Sequence, residues 1–238
     1  MIVVPEGPQL RLITQPDHAH FSGELLSLWR TEGLPSHPRR DDLLFAAREH
    51  DNGWREADAA PRWDAERGRP HDFLTLPREN RIEIWERGTC RFAGERPYAA
   101  LLITRHALNL FQNRRTDEEW ASFAAFLADL ERNLLEETAV PREELEADYR
   151  LIDLTDQISL AACNGWREPV ERHGVRIEPR DSAVQLAPFP LAGTTSFRIP
   201  CRRIPSRAYR GDADLGGELA AARWQELRVR VAPVSPRA

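Results

Sequence analysis

Two adjacent residues, His50 and Asp51, end an apolar run and stand two residues before a glycine, in the stretch EHDNGW. A histidine near the end of a helix interacts favourably with the helix dipole, which would make the pair an ordinary helix terminus. The same two side chains project from one helical turn, so they could also bind a single metal ion. The dipeptide alone leaves both interpretations open.

Other histidine and aspartate residues occur in segments with helical periodicity. His106 lies in the apolar segment LLITRHALNLF and Asp156 lies in LIDLTDQISLAAC. An ionised aspartate within an apolar stripe is costly unless it is paired or binds a metal ion. The residues that share a helical stripe with His106 and Asp156 place both on core-facing sides of separate helices. We therefore predict that the two converge on one metal site.

The order of these residues resembles the H…HD…D motif of the HD superfamily of metal-dependent phosphohydrolases. The matching positions are His18 or His20, then His50, Asp51 and Asp156. Residues two apart on a helix point about 200° away from each other, so only one of the first two histidines can face inward. We prefer His18, which directly follows Asp17, the residue expected to cap this helix.

The whole chain is also similar to an uncharacterised bacterial family, the domain of unknown function 3891. The likeness is carried over essentially the full length by the segments TQPDHAHFSGELLSLW, EHDNGW, GRPHDF, ITRHALNLF and LIDLTDQISLAAC. The family name implies no activity.

The HD resemblance implies a site made of imidazoles and carboxylates. Its candidate metal ligands are His18, His50, Asp51 and Asp156, and His71 and His106 are further candidates if two ions bind. Imidazole ligands favour Mn, Fe or Zn, Mg is a further candidate, and one or two ions could bind. Such a metal ion lowers the pKa of bound water toward neutrality. Asp51 would orient that water as well as bind the ion, and His106 would be the second catalytic residue, orienting the substrate or the water.

Three functions are compatible with these residues. The first is a metal-dependent hydrolase of HD type that uses a metal-activated water, acting on a phosphoester if arginine side chains line the pocket. The second is an HD-fold di-iron oxygenase, whose pattern H…HD…H…H…D would add His71 and His106 to the ligands. The third is a non-enzymatic helical scaffold or binding protein, in which the buried polar groups satisfy one another.

Composition restricts the partners of the protein. The chain has 238 residues, of which 41 % are hydrophobic and 30 % charged, so it is a globular protein with a sizeable core. Its 33 basic and 38 acidic residues give a net charge of -5. That balance argues against nucleic acid or an acidic membrane as partner, because such binding depends on neutralising phosphates. A small-molecule substrate, which includes phosphorylated compounds, is the expected partner, and a homodimer is an open alternative.

Residue usage also excludes some kinds of site. Every basic residue is arginine, so Schiff-base chemistry on lysine is excluded. The three cysteines are widely spaced and form no CxxC pair, which excludes a cysteine-rich zinc site. No apolar run reaches the roughly 18 residues of a membrane span, and no signal-peptide pattern is visible. We expect a cytoplasmic protein.

Periodicity divides the chain into three parts. Helical spacing predominates in residues 15–165, whereas residues 1–14 and 166–238 alternate apolar and polar residues as half-buried strands do. With the HD resemblance, this predicts a mainly α protein: an HD-domain-like helical bundle that carries the site, with N-terminal strands and a β-rich C-terminal segment packed on it. The terminal segments would form a small accessory antiparallel β-sheet. Thr116 and Glu119, in capping-box spacing, are expected to open one helix.

Overall fold

The structure is a computed structural model that describes residues 1–31, 33–114 and 117–234. In these ranges the helices are α1 Gln15–Ser27, α2 Arg40–Glu49, α3 Arg55–Ala59, α4 Arg78–Cys90, α5 Pro97–Leu110, α6 Glu118–Thr138, α7 Arg142–Cys163 and α8 Asp212–Ala221. The strands are β1 Ile2–Glu6, β2 Gln9–Ile13, β3 Trp63–Asp64, β4 Arg69–Pro70, β5 Val170–Arg172, β6 Val175–Arg180, β7 Ala183–Ala187, β8 Thr195–Pro205 and β9 Trp224–Pro233.

Within the described ranges, most strands belong to one mixed sheet of seven strands, in the order β1-β2-β8-β9-β7-β6-β5. Neighbouring strands run antiparallel except β7 and β9, which are parallel. The N-terminal hairpin joins the sheet through the pairing of β2 with β8. The short strands β3 and β4 form a separate two-stranded sheet.

The prediction of a mainly α bundle with a small accessory antiparallel sheet is wrong. The sheet is mixed, and its long strands β8 and β9, of 11 and 10 residues, make it a major layer of the fold. The sequence indicated strands in both terminal segments, but the HD resemblance led to the expectation that these strands formed only an accessory sheet. Pro200 lies inside β8, outside the residues 202–205 that pair with β2, and its register partner is Glu226 of β9.

The helices and the sheet share one hydrophobic core. Helices α1, α2, α5 and α7 contact one another, and α1 and α7 also contact the sheet. The rings of Phe21 in α1 and Phe197 in β8 lie 5.0 Å apart. Leu25, Leu101 and Ile152, from α1, α5 and α7, are fully buried in this core. The sheet therefore supports the helices that carry the candidate site.

None of the helices described here is both long and apolar enough to cross a membrane.

Side-chain caps fix where two of the helices begin. Thr14, rather than Asp17, caps α1, and its hydroxyl oxygen accepts from the Asp17 N–H at 3.1 Å. Thr116, expected to open α6, lies outside the described residues. Asp117 caps α6, and its carboxylate accepts from the Glu119 N–H at 3.1 Å.

Candidate metal centre

Four buried polar side chains meet between α1, α7 and the end of α2. His18 comes from α1, His50 is the C-cap of α2, Asp51 follows it, and Asp156 comes from α7. All are between 0 and 4 % exposed. The Nε2 atoms of His18 and His50 lie 3.3 Å apart, and Asp51 Oδ2 lies 3.5 and 3.6 Å from them. These three residues, here called the His–His–Asp group, could hold a metal ion.

Asp156 approaches the same two nitrogen atoms. Its Oδ1 lies 3.0 Å from His18 Nε2 and 3.4 Å from His50 Nε2. The structure thus brings together four side chains from three segments that are far apart in the chain. We call the His–His–Asp group and Asp156 the four-residue cluster.

Hydrogen bonds on the far sides of the two rings determine which nitrogen carries the proton. His50 Nδ1 lies 2.8 Å from the carbonyl oxygen of Ala47, so this nitrogen donates. The Ser159 hydroxyl donates to the carbonyl oxygen of His18 at 2.9 Å, so its oxygen accepts from His18 Nδ1 at 2.7 Å. In the neutral rings both Nε2 atoms therefore carry lone pairs, and these are the atoms that meet in the cluster.

The centre of the cluster is consequently formed by acceptors, and acceptors in contact repel unless protons or a cation lie between them. Burial opposes a charged His18, but hydrogen bonds to Asp156 and Asp51 outweigh it and hold the pKa of His18 well above its ordinary value. Burial likewise opposes an ionised Asp156, yet hydrogen bonds from both imidazoles hold its pKa well below its ordinary value. In the metal-free protein, protons keep the cluster together, and a divalent cation would displace them.

The spacing and chemistry of the donors also fit a metal ion. Donor atoms about 2.1 Å from a tetrahedral metal centre lie about 3.4 Å from one another. The separations within the His–His–Asp group are 3.3, 3.5 and 3.6 Å. Imidazole nitrogen with carboxylate oxygen suits Mn, Fe or Zn.

His106 lies beside the four-residue cluster. Its ring centroid is 4.9 Å from that of His50, and its Nδ1 is 3.4 Å from the Tyr149 hydroxyl. The same hydroxyl is 3.4 Å from Asp153 Oδ1. Burial, and then the charge of His50, hold the pKa of His106 below its ordinary value. The His106 ring is therefore neutral at neutral pH.

Asp153 contacts the Tyr149 hydroxyl that lies beside His106, and it was not predicted from the sequence as a site residue. Arg172 donates to both of its oxygens, at 2.5 and 2.7 Å, and His173 Nε2 lies 2.6 Å from Oδ2. The only sequence signal was its position one helical turn before Asp156 on the buried face of α7. Its partners come from the β5–β6 hairpin, whose docking no local pattern predicts.

Two candidate histidines lie elsewhere. His20 is half-buried and lines a separate surface cleft, so the structure brings His18, and not His20, into the cluster. His71 Nδ1 lies 3.3 Å from Thr75 Oγ1 and 3.5 Å from Asp64 Oδ2. As far as the described ranges extend, His71 is not part of the His–His–Asp group.

A cavity of about 150 Å³ adjoins the cluster. His18, Asp51, Asp156 and His106 contribute to its lining. The rest of the lining is largely apolar and includes Trp54, Phe73, Trp85, Phe111 and Leu160. A ligand in this cavity would touch the candidate metal ligands and His106 at the same time.

The comparison with known proteins identifies a family but no activity. The family model described as "Protein of unknown function (DUF3891)" matches residues 1–206, which include every residue of the four-residue cluster. No curated protein and no solved structure gives a significant match. The match confirms the family resemblance inferred from the sequence segments, and the chain belongs to the family Protein of unknown function (DUF3891).

Proposed function

We propose that the protein is a metal-dependent hydrolase in which His18, His50, Asp51 and Asp156 hold a divalent transition-metal ion. The observation that carries the proposal is the centre of the cluster, where the Nε2 atoms of both histidines approach carboxylate oxygens and where the neutral rings would offer lone pairs to a metal ion. The order of the four residues along the chain, which resembles the HD motif, supports the same interpretation. A bound metal ion would lower the pKa of a coordinated water toward neutrality.

The protein side chains would orient the reacting groups. Asp51 belongs to the cluster and also lines the cavity, so its carboxylate can accept a hydrogen bond from the attacking water. His106 lines the same cavity, and its neutral ring can accept a proton from the attacking water and then return that proton to the leaving group. Ser159 and the Ala47 carbonyl hold the two imidazoles with Nε2 toward the centre.

The cavity lining favours a small molecule without a large negative charge. A phosphoester was expected if several arginines lined the pocket. The described lining contains one arginine, Arg81. Its guanidinium lies 5.2 Å from the centre of the Trp120 ring. We therefore propose hydrolysis of a small-molecule substrate and do not make phosphoester cleavage part of the proposal.

The di-iron oxygenase alternative has less support. It requires His71 and His106 as additional ligands. His71 contacts Thr75 and Asp64, and it lies in a loop rather than beside His50. We do not propose this activity.

Metal content and hydrolysis together test the proposed function. Protein purified without chelators should contain about one equivalent of Mn, Fe or Zn by elemental analysis. Hydrolysis of a p-nitrophenyl ester panel (acetate, butyrate, benzoate and phosphate) should disappear on chelation and return when the metal is added back. Protein that binds no metal would contradict the proposal in favour of a non-enzymatic scaffold. Hydrolysis that survives chelation would contradict the role given to the metal.

We predict that His106→Ala keeps the metal but lowers kcat by about 100-fold, the usual contribution of a general acid or base. The metal should remain because His106 lies beside the His–His–Asp group. Elemental analysis and steady-state kinetics measure the two effects, and His20→Ala, in its separate cleft, is the control. Loss of half the metal would instead indicate a second ion bound by His106. An unchanged kcat would remove His106 from the mechanism.

A further inference from the structure

We infer that the cavity binds an uncharged substrate with a flat, ring-sized apolar group next to an amide or ester carbonyl. This inference rests on the proposed function, because it names the class of molecule that the same site would hydrolyse. It is carried by the apolar wall of the cavity, by the cavity volume, and by the candidate metal ligands that line one side of it.

Aromatic side chains dominate the wall beyond the cluster. Trp54, Trp85 and Phe111 line the cavity together with Phe73 and Leu160. Such a wall offers dispersion contacts and ring-to-ring packing, and it offers little to a flexible polar chain. Two rings of the wall also pack against each other, since the Phe111 and Trp85 ring centroids lie 6.1 Å apart. It therefore favours a rigid apolar group.

The size of the cavity limits that group to about one ring. Its volume is about 150 Å³. An apolar cavity of about this volume accommodates benzene. A purine nucleoside with its sugar exceeds this volume, so part of it would lie outside the cavity. The cavity thus selects a single ring, with the rest of the substrate reaching toward the metal ligands.

Charge argues against a dianionic substrate. A divalent ion held by Asp51 and Asp156 would be neutralised by their two carboxylates. Arg81 is the one arginine in the described lining, so it alone would offer a guanidinium to the two negative charges of a phosphate monoester, and most of the remaining lining surface is apolar. Burying an uncompensated charge in such surroundings is far more costly than burying a carbonyl group.

The polar part of the ligand follows from the proposed hydrolysis. The candidate metal ligands and His106 line the same cavity as the apolar wall, so an amide or ester carbonyl beside the ring would lie next to them. A carbonyl group is uncharged, and burying it costs far less than burying a phosphate dianion.

Binding to the metal-free protein tests the inference without relying on activity. Benzamide carries the ring and the amide, acetamide lacks the ring, and phenyl phosphate replaces the amide with a dianion. Isothermal titration calorimetry should give a benzamide Kd at least about tenfold lower than that of either other probe. Equal affinity for acetamide would overturn the ring-sized pocket. Tighter binding of phenyl phosphate would overturn the uncharged substrate class.

A substitution that fills the cavity tests where the ring binds. Leu160→Phe places an additional ring at the lining and should weaken benzamide binding by at least about tenfold. Leu135→Phe, at a half-buried position of α6 outside this lining, is the matched control and should leave the Kd unchanged. If Leu160→Phe does not fold, Leu110→Trp replaces it, because Leu110 lines the same cavity and is 47 % exposed. Unchanged benzamide affinity in the folded variant would overturn the inference.

The pocket assignment and the proposed hydrolase activity can fail independently of each other in these experiments. Protein that binds benzamide but no metal would keep the pocket assignment and lose the hydrolase. Protein that binds metal and hydrolyses esters but ignores benzamide would keep the hydrolase and lose the pocket assignment.

Discussion

Replacing Asp156 with asparagine is expected to abolish stoichiometric metal binding and to weaken metal affinity by at least about 100-fold. Loss of a residue that only orients a ligand typically costs 10–100-fold, so loss of a charged ligand should cost at least as much. Asp156 Oδ1 lies 3.0 Å from His18 Nε2 and 3.4 Å from His50 Nε2, and its negative charge favours a cation here together with that of Asp51. Elemental analysis of the purified variant and a zinc titration of the metal-free variant measure the effect.

Asp148→Asn is the matched control for this substitution. Asp148 lies on the same helix, is buried to a similar extent, accepts a hydrogen bond from Tyr98 and lies 3.1 Å from His37 Nε2. It belongs to no part of the four-residue cluster. Both variants should lose stability, but only Asp156→Asn should lose the metal. If the two variants bound metal equally well, Asp156 would not be a ligand and the site would have to be redrawn around the His–His–Asp group.

Much of the candidate site could be predicted from the sequence because each residue carries a local signal. His50 and Asp51 are adjacent at a helix end, and Asp156 is an ionisable residue on an otherwise buried stripe. The supporting contacts could not be predicted in this way. Arg172 and His173 reach Asp153 only because a hairpin of the sheet docks on α7, and such long-range packing leaves no periodic pattern.

The helices were more predictable than the sheet for a similar reason. The periodicity of α5, α6 and α7 extends over 14, 21 and 22 residues, so local preference and burial indicate the same structure. The strands are shorter, contain proline, and acquire their order through pairings such as β2 with β8 and β7 with β9. A strand pattern shows that a segment is extended, but it does not show which segment is its neighbour.

The glycine that follows the His–Asp pair determines how closely helix α4 approaches the metal ligands. Residues 52–54 form a 3₁₀ turn directly after Asp51. Asn52 Nδ2 donates to the Gly88 carbonyl oxygen at 3.0 Å, and Arg87 donates to the Gly53 carbonyl oxygen at 2.8 Å. A Cβ atom on Gly53 would lie 2.1 Å from the Ile84 carbonyl oxygen. The turn that carries Asp51 can therefore rest on α4 only if residue 53 has no side chain.

We expect Gly53→Ala to lower the free energy of unfolding by about 3 kcal/mol, the upper part of the usual range for overpacking, because the clash is with helix backbone that cannot rotate away. For a chain of this size that corresponds to a melting temperature about 6–12 °C lower. Metal affinity should fall as well, since relieving the clash moves the turn next to Asp51. Gly94→Ala is the control, because a Cβ atom there meets no atom of the described residues within 4 Å. Denaturation of both metal-free variants and a metal titration of each measure the two effects. If the Gly53→Ala protein were as stable as the Gly94→Ala protein, α4 would not rest on this turn. If its stability were normal but its metal affinity were lower, the substitution would act only through the position of Asp51.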